Sequence, residues 1–331
     1  MANDYDSKTL SEGIDRFESC RIAVVGDVIM DEFLWGRVER ISPEAPVPVV
    51  EVVRESFMLG GAGNVANNIV ALGGRVLLCG VTGKDPMGSK LSDMVRELNT
   101  GTDGLVAEDG RPTTKKTRVV AHSQQVVRVD RERREPVSKN SIKRVLKILK
   151  EELNLCDAII VADYGKGVVT RELMDGILSL TRGSQIILAV DPAAQNMPLY
   201  KDVTLVTPNI NEAQLMSGIR IHDGQSLELA GTRLLEELGC QIVLITQGDK
   251  GMTLFESKDR LTHIPTVARK VFDVSGAGDT VTGTFTLALA ARLTPRQAAV
   301  LANVAAGIVV GEVGTATVTA SKLKETLSGS K

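Results

Sequence analysis

Apolar, β-branched runs alternate with helical patterns along most of this chain, and that alternation limits what it can fold into. Residues 21–26, 75–80, 157–162, 185–190, 203–206 and 241–246 read as buried strands. Helical patterns at 64–72, 90–98, 138–153, 171–180 and 226–238 lie between them. Repeated strand–helix–strand units demand a mostly parallel sheet with helices on both faces. The expected class is therefore α/β. Ligands of such sheets bind beyond the carboxyl ends of the strands. This makes the strand-end residues Asp27, Asp163, Asp191, Asn209 and Gln247 candidates for a site.

Two segments break the rhythm. Residues 33–53 run through Trp35-Gly36 into a Pro-rich stretch ending at Val50, and residues 115–130 alternate without a helix. Both read as strands outside the main sheet. Together they form either a small flap over the strand ends, within about 31–55 and 113–131, or an ordinary edge hairpin. On a flap, Phe33 and Trp35 would cover a pocket or a partner subunit, which makes a homodimer through these strands an expectation.

Composition removes several function classes. The chain has 331 residues and a net charge of −2, without the basic footprint of a nucleic-acid binder. Aromatic residues, at 3%, are too few for base stacking. No apolar run approaches the roughly 20 residues that cross a bilayer, and the polar start of the chain does not resemble a signal peptide. Cys20, Cys79, Cys156 and Cys240 are scattered, as expected of reduced thiols in a cytoplasmic protein. His122, His222 and His263 are far apart and form no metal motif.

The densest chemistry lies in Asp273-Val-Ser-Gly-Ala-Gly-Asp279. A strand-like run over 263–273 leads into it and a small-residue apolar helix leaves it. Gly276, Ala277 and Gly278 then sit where a helix begins, with backbone N–H groups that have no intrahelical partner. The helix dipole adds positive charge there, which suits a phosphate. Asp279, in the first turn, is placed to take a proton from an attacking hydroxyl. The blander reading is a glycine-rich helix start with Asp279 as a dipole partner.

Other motifs are weaker alone. Gly60-Gly61-Ala-Gly63-Asn64-Val-Ala66-Asn-Asn68 opens a helix and contains Gly61-x-Gly63-x-x-Ala66, which raises an NAD-dependent oxidoreductase as a rival. Against it, residues 56–60 make a poor strand, and the next strand ends in Cys79-Gly80 without a ribose-binding carboxylate. A glycine turn with Asn64 also suits polyol hydroxyls. Asn209-Ile-Asn-Glu212 reads either as oxygen ligands that reach Mg²⁺ through water or as a helix cap. Thr246-Gln-Gly248-Asp-Lys-Gly251 is a hairpin turn at a strand end where a nucleotide could sit. No Gly-x-x-x-x-Gly-Lys-Ser/Thr is present, so this is not a P-loop protein. Lys116, Arg118 and Arg128 put cationic groups on the flap, and Lys166 follows a strand end; each is a candidate for gripping a phosphate or a solvated surface charge.

These motifs, in this order, resemble the ribokinase/PfkB family of carbohydrate kinases over nearly the whole length. The 60–68 segment resembles the family's N-terminal signature and 273–279 its C-terminal one. Thr207-Pro-Asn209-x-x-Glu212 and Thr246-x-Gly248-x-x-Gly251 resemble its Asn-x-x-Glu motif and nucleotide loop. Gly26-Asp27-Val-Ile-Met-Asp31, the 40–50 segment, Gln124-Gln125 with Arg128-x-Asp130, and Val310-Gly311 with Gly314-Thr-x-Thr317-Val318 narrow it to kinases of D-glycero-β-D-manno-heptose 7-phosphate. Ser275 stands where close relatives often carry Thr. The chain shows no His-x-Gly-His nucleotidyltransferase motif, so a stand-alone kinase is expected, as one ribokinase-like domain over 1–331 with a small β-strand lid.

The resemblance implies ATP-dependent transfer to the anomeric 1-hydroxyl of the sugar, on the route to ADP-heptose and lipopolysaccharide. It makes Asp279 the base, with Gly276, Ala277 and Gly278 cradling the moving phosphoryl group. Asp27, Asp31, Gly60, Gly61 and Asn64 would hold the sugar. Asn209 and Glu212 would organise Mg²⁺, and Thr246, Gly248, Gly251 and Asn303 would line the ATP site. Asp273 would help hold a monovalent cation such as K⁺. A kinase of another sugar, or a non-enzymatic sugar or nucleotide sensor on the same fold, is the alternative.

Overall fold

The alternation is realised as a parallel sheet whose strand ends form one edge. The structure, a computed structural model, describes residues 6–101, 103–122, 124–268, 273–312 and 316–329. Helix α1 (Ser7–Asp15) and strand β1 (Arg21–Gly26) open the chain. Two long strands, β2 (Val28–Ile41) and β3 (Pro48–Gly61), lead into α2 (Ala62–Ala71), β4 (Arg75–Gly83), α3 (Pro86–Glu97) and β5 (Leu105–Glu108). Strands β6 (Lys115–Ala121) and β7 (Gln124–Arg131) precede α4 (Lys139–Glu152), β8 (Ala158–Ala162), α5 (Arg171–Thr181) and β9 (Ile187–Asp191). Then come β10 (Leu205–Val206), α6 (Ile210–Ser217), α7 (Gly224–Leu238), β11 (Ile242–Thr246), β12 (Met252–Ser257) and β13 (Arg260–Ile264). Helices α8 (Ala277–Ala290), α9 (Pro295–Val309) and α10 (Ala320–Gly329) close the chain.

Nine strands form the main sheet among the described residues, in the order β13-β12-β11-β10-β9-β8-β1-β4-β5. All neighbours from β11 to β5 are parallel, and β12 and β13 add an antiparallel edge. The parallel strands are apolar on both faces, and a buried hydrophobic cluster fills each side of the sheet. The order reverses between β1 and β8, because β1 continues to β4 and β5 while β8 continues to β9 and β10. Such a switch point opens a crevice at the carboxyl ends.

The two irregular segments pair with each other in a second sheet of order β3-β2-β6-β7. Strand β2 is antiparallel to β3 and parallel to β6, and β6 turns back on β7. Register sets Asp31, Lys116 and Asp130 in one row across β2, β6 and β7, and Phe33, Arg118 and Arg128 in the row two residues on. Phe33 and Trp35 stack with centroids 5.7 Å apart.

Two expectations change. Residues 56–60 lie inside β3, where Met58, Leu59 and Gly60 pair with Asp31, Met30 and Ile29. The strand comes from pairing with β2, not from local propensity. It belongs to the second sheet, however, so Gly61 does not follow the first parallel strand as a dinucleotide fingerprint requires. The run expected over 263–273 is shorter: β13 stops at Ile264, before Pro265, which has no N–H to continue a ladder. Residues 269–272 of that run lie outside the described residues.

Helix α8 is buried almost throughout, Asp279–Leu287 without interruption. Its small residues let neighbours approach: the Gly283 position faces Ile69 of α2, and Thr282 shares a 2.8 Å hydrogen bond with Thr207 at the end of β10. This packing brings the first turn of α8 to the carboxyl edge of the sheet.

Candidate active site

Gly276 caps α8 with φ 80°, a left-handed conformation that favours glycine. The N–H of Ala277 donates to Val274 O at 3.2 Å, so the three cradle residues are not equivalent. Gly276 and Gly278 line a cavity of about 290 Å³ together with Ser275, Asp279, Ile29, Asp31, Gly61, Lys116, Arg118, Tyr164, Asp191, Thr207, Asn209, Glu212 and Thr246. A second cavity of about 430 Å³ is lined by Thr246, Gly248, Gly251, Met252, Val274, Ala277, Gly278 and Asn303, among others. The two share Thr246 and Gly278. One side is polar and charged; the other is mostly apolar.

Asp279 is 8% exposed. Its Oδ2 accepts a hydrogen bond from Asn64 Nδ2 at 2.5 Å, and its Oδ1 accepts one from the Tyr164 hydroxyl. Burial pushes the Asp279 carboxyl up to about 6, with the nearby Asp31 acting in the same direction; the two donors oppose it. The group is thus a carboxylate at neutral pH with raised basicity, which suits proton transfer.

Asp31, on β2, is buried and bonded to Arg118 at 2.5 Å. A methyl at Gly60 would collide with the Asp31 carboxylate, and one at Gly61, whose φ is 56°, would collide with Asp27 O. These glycines let β3 pass close to β2 before α2 begins.

Asp27 is placed differently from the expectation. It is 1% exposed and does not line the polar cavity. Its carboxylate accepts the backbone N–H groups of Tyr164 (2.8 Å), Lys166 (3.0 Å) and Val168 (3.1 Å). It anchors the loop after β8 instead of facing solvent-filled space. Burial is the main cause that lifts its carboxyl to about 6.

The basic residues divide in two. Lys116 and Arg118 line the polar cavity. Lys166 and Arg128 do not; Lys166 Nζ is 2.8 Å from Glu132, and Arg128 makes a forked pair with Asp130. Lys116 lies 3.8 Å from Asp130, and burial together with the charges of Lys166 and Arg128 lowers its affinity for a proton. A phosphate would relieve that repulsion.

Asn209 and Glu212 form a reciprocal capping box at the start of α6. Asn209 Oδ1 accepts from the N–H groups of Asn211 and Glu212, and Glu212 Oε2 accepts from Asn209 N–H at 2.8 Å. The capping reading holds, and both residues also line the polar cavity. Burial raises the Glu212 carboxyl, and burial with the charges of Asp279 and Glu212 raises Asp191 well above the ordinary range. Among the described residues no group of three or more His, Cys, Asp or Glu is close enough to hold a metal directly.

In the apolar cavity, Gly248 and Gly251 take left-handed conformations around the short turn after β11, and Asn303 Nδ2 donates to Pro265 O at 2.8 Å. Asp273 Oδ1 accepts from Ser275 N–H at 2.9 Å. Gly314 and Thr315 of the C-terminal motif lie outside the described residues. Tyr164 escaped the sequence reading, because a single tyrosine after a strand carries no pattern. Asp191 was visible only as one strand-end acid among several.

A family model for pfkB family carbohydrate kinases matches residues 20–322. The chain belongs to the PfkB family of carbohydrate kinases. It is a carbohydrate kinase of that family. It is 46% identical over 314 residues to the bifunctional protein HldE of Desulfatibacillum aliphaticivorans, covering 95% of this chain and 64% of that protein. It is 47% identical over 304 residues to the bifunctional protein HldE of Citrifermentans bemidjiense, covering 92% and 62%. The chain thus spans less than two thirds of these relatives. Its fold matches Arabidopsis thaliana ribokinase complexed with ribose and ATP, with a TM-score of 0.75 at 17% identity over 93% of this chain and 98% of that one. It also matches Escherichia coli phosphofructokinase-2 in complex with potassium, with a TM-score of 0.76 at 16% identity over 94% and 98%. Among the described residues no helix is long and apolar enough to cross a membrane, and the four cysteines are buried and unpaired.

Gly278 separates fold from chemistry. A Cβ there meets nothing within 4 Å, although the residue lines both cavities. Gly278→Ala should keep or raise stability in urea denaturation, by up to about 1 kcal/mol from helix propensity. The methyl should lower turnover at least ~10-fold by filling the space where the cavities meet. Loss of stability with normal turnover would contradict this assignment.

Proposed function

We propose that this kinase transfers the γ-phosphoryl group of ATP to the anomeric hydroxyl of D-glycero-β-D-manno-heptose 7-phosphate, giving the heptose 1,7-bisphosphate of ADP-heptose and lipopolysaccharide core synthesis. The observation that carries the reading is the meeting of two cavities at Gly278, with the Asp279 carboxylate beside the junction and Lys116 and Arg118 in the wall of the polar cavity. The relatives named HldE and the heptose-kinase motifs set out above support the choice of sugar.

The chemistry follows from the residues. Asp279 takes the proton of the sugar hydroxyl as that oxygen attacks the γ-phosphorus in line, and the bond from that phosphorus to the β,γ-bridging oxygen breaks to release ADP. The first-turn N–H groups of α8 stabilise charge on the moving group. Glu212 and Asn209 would hold Mg²⁺ through water, and the ion would supply neutralisation of charge on the phosphates. Thr246, Gly248, Gly251 and Asn303 hold the nucleotide, and Asp31, Gly61 and Asn64 the sugar. Lys116 and Arg118 take the 7-phosphate. The second sheet acts as a lid that excludes water, which would otherwise take the phosphoryl group. K⁺ beside Asp273 belongs to the same reading, as does a cytoplasmic homodimer joined through the lid, whose outer strands expose Val52, Val53, Val126, Val127 and Val129.

Asp279→Asn should lower kcat at least ~10²-fold with the fold intact. Because the ionised form is the base and its carboxyl is lifted to about 6, kcat/KM of the parent should fall below about pH 6 and not only below about pH 4. Near-normal turnover by Asp279→Asn would remove Asp279 as the base. Lys116→Ala should raise KM for the sugar phosphate at least ~10-fold while changing KM for ATP little. An unchanged sugar-phosphate KM would move the phosphate elsewhere.

A further inference from the structure

A general base must do more than carry the right charge. Its oxygen has to face the hydroxyl in a fixed direction, and a carboxylate on one rotatable stem does not hold a direction by itself. Asp279 is held at both oxygens, by Asn64 at Oδ2 and by the Tyr164 hydroxyl at Oδ1. Tyr164 is fixed in turn by its own backbone. Its N–H and those of Lys166 and Val168 converge on the single carboxylate of Asp27. This ties the loop after β8 to the end of β1, across the switch point of the sheet. Arg111 adds a second tie, donating to Lys166 O at 2.5 Å and to the carbonyls of Arg133 and Glu135.

The hydroxyl of Tyr164 has two acidic neighbours, Asp279 and, at 3.2 Å, Asp191 Oδ2. A phenol carries one proton, and the shorter contact is to Asp279. Burial and the two carboxylates keep Tyr164 protonated far above its ordinary range, so it remains a donor through the working pH range. The ring is part-buried and packs against the core.

We infer that Tyr164 is a positioning residue for phosphoryl transfer: anchored through its loop by Asp27, its hydroxyl aims the Asp279 carboxylate at the sugar hydroxyl. This rests on Asp279 being the base. The groups that face Asp279 are Tyr164 and Asn64 as donors and Asp31 and Asp191 as charges.

Tyr164→Phe keeps the ring and removes only the donor. Steady-state kinetics on the full chain, with ATP, Mg²⁺ and the heptose 7-phosphate, should show kcat lowered about 10-fold or more, with both KM values within about twofold. The acid limb of kcat/KM should move to higher pH, because Asp279 loses a hydrogen bond that favours its charged form. In an Asp279→Asn background, Tyr164→Phe should cost no more than about a further twofold, since it acts through Asp279. Thermal unfolding of each variant checks that the fold is kept. An inactive Asp279→Asn beside a Tyr164→Phe variant with parental kcat and acid limb would overturn the role of Tyr164 and leave the base in place. Independent, multiplicative losses in the double variant would overturn it too. An active Asp279→Asn would instead overturn the base, and this inference with it.

Discussion

Parallel pairing from β1 through β8, β9, β10 and β11 is the constraint on which the site depends. Register brings the ends of these strands, at Gly26, Ala162, Asp191, Val206 and Thr246, to one edge. Residues spread over more than two hundred positions of sequence therefore meet without any local motif to join them. Helix α8, buried between the sheet and α2, then delivers its first turn to the same edge. The interiors of these strands are apolar, so polar groups collect at their ends, and those of the cavity lie at the carboxyl ends.

Collecting them there has an electrostatic cost that also makes them useful. Asp191, Glu212 and Asp279 are each raised above their ordinary range, chiefly by burial, and Asp191 further by the other two. A site of this kind favours bound cations and proton acceptance, and kinases need both. On the second sheet the sign alternates across the strands, with Asp31, Lys116 and Asp130 in one row. Lys116 and Arg118 are thereby held by the neighbouring carboxylates of Asp130 and Asp31.

Much of this was legible in the sequence. The buried strands and the helices between them followed from periodicity, and the glycines at 248, 251 and 276 marked positions where the backbone takes a positive φ. What escaped was what only long-range pairing decides. Residues 56–60 have weak strand character and become a strand because β2 lies alongside them. Asp27 looks the same in sequence whether its carboxylate faces a sugar or a backbone; its three donors lie 137 to 141 residues away. Asn209 and Glu212 look alike in sequence as a cap or as cation-organising groups; the structure shows the capping box and places it at the cavity wall. Tyr164 carries no pattern at all, and only its hydroxyl's contact with Asp279 singles it out.

The most direct test of the account is ADP formation from ATP and Mg²⁺ with a panel of acceptors: D-glycero-D-manno-heptose 7-phosphate, sedoheptulose 7-phosphate, fructose 6-phosphate, fructose and ribose. Turnover confined to the manno-heptose phosphate is the predicted result. Efficient turnover of fructose or ribose, which lack the terminal phosphate, would contradict both the sugar assignment and the place given to Lys116 and Arg118.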